Sequence, residues 1–513
     1  MIIIYHNNNK LVQVVRNGEN LDFPQFSMAT ALVRLAENYP QDWLIWCSEE
    51  VASYLNCDNL EKIFHHHKIM ASYTMAKQFY IPAAIGYVEE SPFIKVNKQV
   101  SYPTWLMSAD AGGIHASVVL KMGRLIPNGA DFEYFLNSMA KLGMIAGLFC
   151  YSEPRLLTTI NQERNTKITA GFFTLFRFVR QHYKKRWLLL LFLNLMLFEK
   201  RFPVAPFCFA LFFKSRKKIP LNLDSILVQS TKEFESDFSI DVIIPTIGRK
   251  EYLYDVLKDL AVQTHLPKKV IIVEQNPIPE SLSELEYIKN GNWPFQIQHL
   301  FTHQAGACNA RNMALAEVSS KWVFLADDDI RMKKEFICKV FETIKKIGVE
   351  AVSVRCIPEE EEVTYKAIFQ WGSFGSGCSF VKSKGVENCK FNMGYEFGYG
   401  EDSDFGMQLR NRGIDVLYFS EPSIVHLKAP IGGFRTKIDL VWKDNTISPK
   451  PSPTIMLFKQ LHLREHQIKG YKIILFFKYY KHQKIKNPVK YYVNFQKQWK
   501  QSVFWANELN KKV

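Results

Sequence analysis

The chain has 513 residues, 47% of them hydrophobic and 22% charged, a globular composition that excludes a disordered, collagen-like or coiled-coil protein. That length exceeds what a single core fills, so two or more domains are expected. The formal charge of +15 is concentrated in residues 431–513, where 17 Lys/Arg face 4 Asp/Glu, a net +13; the rest is near neutral, and no nucleic-acid partner is expected.

In chain order, the start MIIIYHNNNK lacks a basic region followed by a long apolar stretch and a small-residue cleavage site, so the protein is expected to stay in the cytoplasm. Nine cysteines without a CxxC pair read as reduced structural thiols, neither a disulfide framework nor a zinc knuckle. His65-His66-His67 is contiguous, so its rings cannot all converge on one ion.

Two early segments have later counterparts. LAENYPQDWLIWCSEE (Leu35–Glu50) parallels LAEVSSKWVFLADDD (Leu315–Asp329), and Gly129–Pro154 parallels Gly400–Pro422 in the same order. Chance likeness of amphipathic segments is the alternative to an internal copy. The copy has Ser48-Glu49-Glu50 where three Asp stand later, and too few residues precede it to build a strand-helix-strand half, so residues 1–158 are expected to be non-catalytic.

Residues 159–236 read as a basic and apolar linker with two twelve-residue apolar runs, Trp187–Phe198 and Phe202–Phe213. A spanning helix needs about 20 apolar residues, so each run suits an interfacial, re-entrant or buried segment better. Cations on both flanks, Lys184-Lys185-Arg186 and Lys214 through Lys218, favour a membrane surface.

From Ser239, SIDVIIPTIGR reads as a buried strand and a turn, followed by a helix over 252–263 and the strand KKVIIVEQ. A helix from about Ala307 to Val318 then leads to the strand KWVFLA, ending in Asp327-Asp328-Asp329. This alternation predicts an α/β fold with a mostly parallel sheet flanked by helices. Ligands bind beyond the carboxyl ends of such strands, where the three acids fall. Adjacent carboxylates repel one another, and a divalent cation relieves the repulsion; Mg²⁺ or Mn²⁺, which prefer oxygen ligands, suit a diphosphate leaving group. A solvated acidic turn is the bland reading of the same residues.

The set VIIPTIGR, VIIVEQN, GACNARNMAL, FLADDD, GYGEDSDFGMQLRNRG and IVHLKAP, in this order, resembles the family 2 glycosyltransferases of GT-A fold over roughly residues 239–428. The resemblance implies inverting, metal-assisted transfer of a hexose-type sugar from a nucleotide-diphosphate sugar to a glycan or lipid-linked acceptor, in cell-surface polysaccharide or glycan synthesis. It assigns Pro245, Thr246, Arg249 and Glu274 to the base and ribose, Asn309 and Arg311 to the diphosphate side, and Asp327 and Asp328 to the nucleotide sugar. Asp329, Asp327 and His426 would hold the metal. Asp402, with Glu401 beside it, would deprotonate the acceptor hydroxyl, and Gly394, Gly398 and Gly400 would leave room for a sugar. Asp404 is expected as an N-cap or first-turn acid of the following helix. Trp371 and Gly377 would form the acceptor wall, and Glu359–Glu362 a solvated loop.

The resulting organisation is a degenerate GT-A-like domain (1–158), the linker (159–236), a catalytic domain (237–430) and a basic aromatic tail (431–513). Tail and linker together are expected to hold the protein peripherally on the anionic inner face of the cell membrane. Competing readings are an inactive sugar-binding or scaffolding homologue, a nucleic-acid binder, and a nucleotidyltransferase; PTIGR fits the last poorly, lacking the Gly-rich basic loop.

Overall fold

A computed structural model describes residues 1–126, 131–158, 169–217, 219–362, 367–430 and 440–511. The first residues of the Gly129–Pro154 repeat, of the linker and of the tail lie outside the described residues. The chain divides into two units, residues 1–232 with Leu463–His482 and residues 233–462 with 483–511.

The first unit carries strands β1 (Ile2–Asn7), β2 (Lys10–Arg16), β3 (Glu19–Asn20), β4 (Trp43–Ser48), β5 (Ile69–Tyr73), β6 (Tyr102–Pro103), β7 (Ala111–His115) and β8 (Phe149–Ser152), in the sheet order β3-β2-β1-β4-β7-β5-β8-β6. The second unit carries β9 (Ile240–Thr246), β10 (Lys269–Gln275), β11 (Gln296–Thr302), β12 (Trp322–Ala326), β13 (Ile330–Arg331), β14 (Ala351–Ile357), β15 (Phe369–Gln370), β16 (Cys378–Lys382) and β17 (Leu417–His426). Its order is β11-β10-β9-β12-β16-β14-β17-β13, with β15 pairing β17. Both units are mixed α/β, their sheets flanked by helices. In the second, β11-β10-β9-β12 run parallel and β16 enters antiparallel. The parallel strands are buried apolar runs such as Val270–Val273, as sheets covered on both faces require.

The internal copy is a repeat of topology. Along β1-β4-β7-β5-β8-β6, neighbours are parallel, antiparallel, antiparallel, parallel and antiparallel. The path β9-β12-β16-β14-β17-β15 has the same sequence of orientations and the same order of strands along the chain. The acid-bearing position matches as well: the Ser48 N–H donates to Asp110 O at 2.7 Å and the Asp327 N–H to Gly377 O at 3.2 Å. The sheets part at both sides: β13, between β12 and β14 in the chain and paired with β17, has no counterpart in the first among the described residues. From β9 the second continues into parallel β10 and β11, whereas β1 folds back into the antiparallel β2 and β3.

The linker and the tail both contribute packed helices. The described part of the linker up to Lys232 belongs to the first unit, with helices Phe172–His182, Lys185–Glu199 and Val204–Leu211, and Leu175, Phe176, Leu191 and Leu195 share a core with β1 and β4. Leu188, Leu191 and Leu195 recur at helical spacing, so one face of an apolar run meets the core while another is left outside. The tail is divided between the units. Helix Pro488–Asn510 buries Tyr491, Phe495, Trp499, Ser502, Ala506 and Leu509 in steps of three and four and packs on helix Pro453–His462, while helix Glu465–His482 belongs to the first unit. Among the described residues no helix is long and apolar enough to cross a membrane.

Candidate active site

A pocket of about 630 Å³ opens at the carboxyl ends of β9 and β12. Thr246, the last residue of β9, donates its hydroxyl to Asp328 Oδ2 at 2.7 Å, and Arg249, after the turn at Gly248, reaches Asp328 Oδ1 at 2.7 Å and Asp329 Oδ2 at 3.3 Å. Gly248 has φ of +62°, a conformation that favours glycine. Burial pushes the Asp328 carboxyl up to about 6 against the pull of Arg249 and Thr246. Asp328 therefore ties the β9 turn to the acid strand while lining the pocket.

Asp327 and Asp329 point elsewhere. Burial works upward on Asp329, but its hydrogen bonds to His426 (3.3 Å) and the Ala429 N–H (2.9 Å), together with Arg249, outweigh it, and its carboxyl lies below the ordinary value. The bond to Asp329 raises the His426 imidazole. His426 closes β17, and one ligand atom each from Asp327, Asp329 and His426 lie within 4.8 Å of one another. Two carboxylates and an imidazole on a strand end form a donor set suited to Mg²⁺ or Mn²⁺.

Across the pocket, helix Glu401–Asn411 presents Glu401 and Asp402 in its first turn, after Gly400 with φ of +121°. Burial, reinforced by the Asp402 charge, raises the Glu401 carboxyl to about 7; burial likewise raises Asp402, which accepts the Ser376 N–H at 3.3 Å. Arg311, buried in helix Ala307–Ala316, bonds Asp327 Oδ1 at 3.0 Å and acts electrostatically on both Glu401 and Asp402. It compensates acids on both walls.

Gly377 has a definite reason to be glycine: a Cβ there would lie 1.9 Å from Asp327 Oδ2. Gly394 and Gly398 serve differently from the sequence reading. Their missing side chains admit helix Pro453–His462, since a Cβ would meet Leu457 at 2.9 Å and Thr454 at 2.4 Å respectively. Asp404 is a first-turn acid, not the cap, and accepts from His462 at 2.6 Å and Gln408 at 2.8 Å.

Of the residues singled out from sequence, Pro245, Thr246, Arg249, Arg311, Asp327, Asp328, Asp329, Gly377, Glu401, Asp402 and His426 all line this pocket. Glu274, Asn309 and Trp371 do not, and neither do Gly394, Gly398, Gly400 and Asp404. The Glu274 carboxylate turns to Ser283 Oγ (2.6 Å), the Glu284 N–H (2.8 Å) and His299 (2.9 Å). Asn309 gives its N–H to Glu396 at 2.8 Å, and Trp371 packs edge-on to Tyr418 at 5.5 Å. Pocket residues the sequence reading missed include Gln275, Cys356, Cys378, Glu396, Phe397 and Lys428. Glu396 accepts from both Cys308 and Asn309 N–H groups, so its carboxylate sits on the positive end of helix Ala307–Ala316. An acid embedded in the glycine-rich GYEFGYG was the available signal.

Residues 241–397 match the family model described as "Glycosyl transferase family 2". Among curated proteins no match to the chain was found. Partial structural similarity extends to TarS 1-349 of S. aureus (18% identity, TM-score 0.31, 37% of this chain and 60% of that one). It extends also to TarS 1-349 in complex with UDP-GlcNAc (15%, 0.36, 54% and 81%) and to GalNAc-T7 with UDP, GalNAc and Mn2+ (10%, 0.31, 38% and 44%). The chain thus spans 60% of the length of the first of these.

Proposed function

With residues 241–397 a family 2 glycosyltransferase domain, we propose that the chain transfers a hexose-type sugar, with inversion, from a nucleotide-diphosphate sugar to a glycan or lipid-linked acceptor in cell-surface polysaccharide or glycan synthesis. The observation that carries this reading is the opposition, in one pocket, of the Asp327–Asp329–His426 donor set and the raised Glu401–Asp402 pair. A divalent ion held by Asp327, Asp329 and His426 would supply positive charge for the departing diphosphate. Every other task falls to side chains.

Thr246 and Arg249 hold Asp328, and through it the turn after β9, against the acid strand; the base and ribose of the donor bind beside this turn. Arg311 holds Asp327 in position from the opposite side. Asp402 takes the proton of the acceptor hydroxyl at its carboxylate, in a setting where burial makes it a stronger base than an exposed aspartate. Glu401 shares that work by keeping negative charge beside it. The first unit, lacking the β10–β11 half, is non-catalytic.

The test is a panel of nucleotide sugars offered to the full chain, with release of the nucleoside diphosphate as readout. Accelerated, metal-dependent release from one or a few donors supports the reading. No donor turnover and no donor binding would leave a non-catalytic scaffold in its place.

A further inference from the structure

The helix Val204–Leu211, VAPFCFAL, has no polar face. Soluble proteins bury such a helix. Here only part of it is covered: Pro206 and Ala210 are buried, whereas Val204, Phe209 and Leu211 are exposed. Phe202, which precedes the helix, is 66% exposed and Phe212, which follows it, 86%. Phe173 on the neighbouring helix is also exposed, and its ring lies 5.4 Å from that of Phe209, which makes the surface continuous. Contiguous exposed apolar area of this kind marks an interaction site.

Charge identifies what covers it. Residues 184–217 hold eight Lys/Arg and one acid, Glu199. Lys184, Lys185 and Arg186 stand exposed before helix Lys185–Glu199 or in its first turn, Lys200 and Arg201 where it ends, and Lys214 just beyond Phe212. An apolar ridge rimmed by cations complements an anionic phospholipid surface, in which aromatic and aliphatic side chains enter the boundary and the cations meet phosphates. Insertion must be shallow. Fifteen and eight helical residues at about 1.5 Å each fall short of a hydrocarbon core of about 30 Å.

We propose that the turn and short helix from Phe202 to Phe212, with its cationic rim, is the face by which the first unit docks on an anionic membrane. This deepens the peripheral-membrane expectation and rests on it, and it places the contact on the first unit, while the stripe from Tyr491 to Leu509 of the C-terminal helix is taken up by packing. The docking does not depend on turnover, so it can fail or hold independently of the proposed transfer.

The experiment is co-sedimentation of the full chain with vesicles of phosphatidylglycerol and phosphatidylcholine, and with phosphatidylcholine alone. The intact chain should bind the anionic vesicles at least about 10-fold more tightly. Phe202→Ser with Phe212→Ser should weaken that binding at least about 10-fold with the circular dichroism unchanged, and Lys200→Glu with Arg201→Glu should do the same while abolishing the preference for anionic lipid. Asp329→Asn should bind vesicles as the wild type does. As a check on depth, an environment-sensitive dye on Cys208, in a Cys57→Ser background because both thiols are exposed, should shift to the blue on anionic vesicles only. Unchanged binding by the Phe202/Phe212 variant would overturn the proposal, as would a concentration-dependent dimer that the same variant dissolves.

Discussion

Arg311 Nη2 lies 3.0 Å from Asp327 Oδ1, so one buried guanidinium fixes a carboxylate of the acid strand while facing the Glu401–Asp402 pair. Removing it leaves acids on both walls without compensation. Arg311→Met should lower kcat/KM by about 10²–10³, and Arg311→Lys should recover part of that loss, because it restores charge but not the directed bond. Equal loss in both variants, at unchanged fold, would make the geometry rather than the charge decisive.

Gly377 offers a cleaner perturbation. Its added Cβ would collide with Asp327 Oδ2, and the aspartate can escape by rotating away from Arg311. Gly377→Ala should therefore keep the thermal midpoint within a few degrees while lowering Mn²⁺ affinity and turnover at least about 10-fold. A large loss of stability with normal metal affinity would show that the backbone had yielded instead.

The acid pair predicts a pH profile. As the proposed base, Asp402 would have to be ionised to accept a proton, and burial holds the pair above ordinary carboxylate values, with Glu401 at about 7. Turnover should rise with pH through a midpoint above the ordinary aspartate value, and Glu401→Gln should move that midpoint down by removing the neighbouring charge. The stability sign is opposite. The folded state binds more protons than the unfolded one between the ordinary Glu value and about 7, so stability falls as pH rises through that window. Glu401→Gln should thus stabilise the protein at pH 8, by about 1–2 kcal/mol, and not at pH 4. Chemical denaturation at the two pH values reads this directly.

The first unit should be silent in turnover. Glu49 and Glu50 follow β4 at the position that Asp328 and Asp329 take after β12, but β2 and β3 occupy the side where β10 and β11 would lie. Glu49→Gln with Glu50→Gln should leave kcat and KM unchanged; a metal-dependent loss with intact folding would reveal a second active site.

How far the sequence carried depends on the range of the forces involved. Buried strands such as Val270–Val273 and the acids that end β12 were legible, because apolar runs and adjacent carboxylates are local signals. The copy of the sheet was legible too, though only its topology separates a repeat from chance. That Glu274 falls outside the pocket lining was not legible, because its strand-end position says nothing of Ser283 and His299, which bond its carboxylate from elsewhere. Gly394 and Gly398 read as room for a sugar, yet that space admits a helix about 60 residues further along the chain. The final helix read as a membrane tail because Lys interleaved with Tyr and Trp suits both a lipid surface and a packed stripe; the steps from Tyr491 to Leu509 favour the stripe.

In the proposed reaction a divalent ion held by Asp327, Asp329 and His426 would stabilise the departing diphosphate. The most direct measurement is the initial rate of nucleoside-diphosphate release from the best donor in EDTA, then with Mn²⁺ or Mg²⁺ restored, for wild type and Asp329→Asn. The rate should be abolished by EDTA and recovered by metal in the wild type, and at least about 10³ lower in Asp329→Asn at unchanged circular dichroism. Full activity in EDTA, or a wild-type rate in Asp329→Asn, would contradict it.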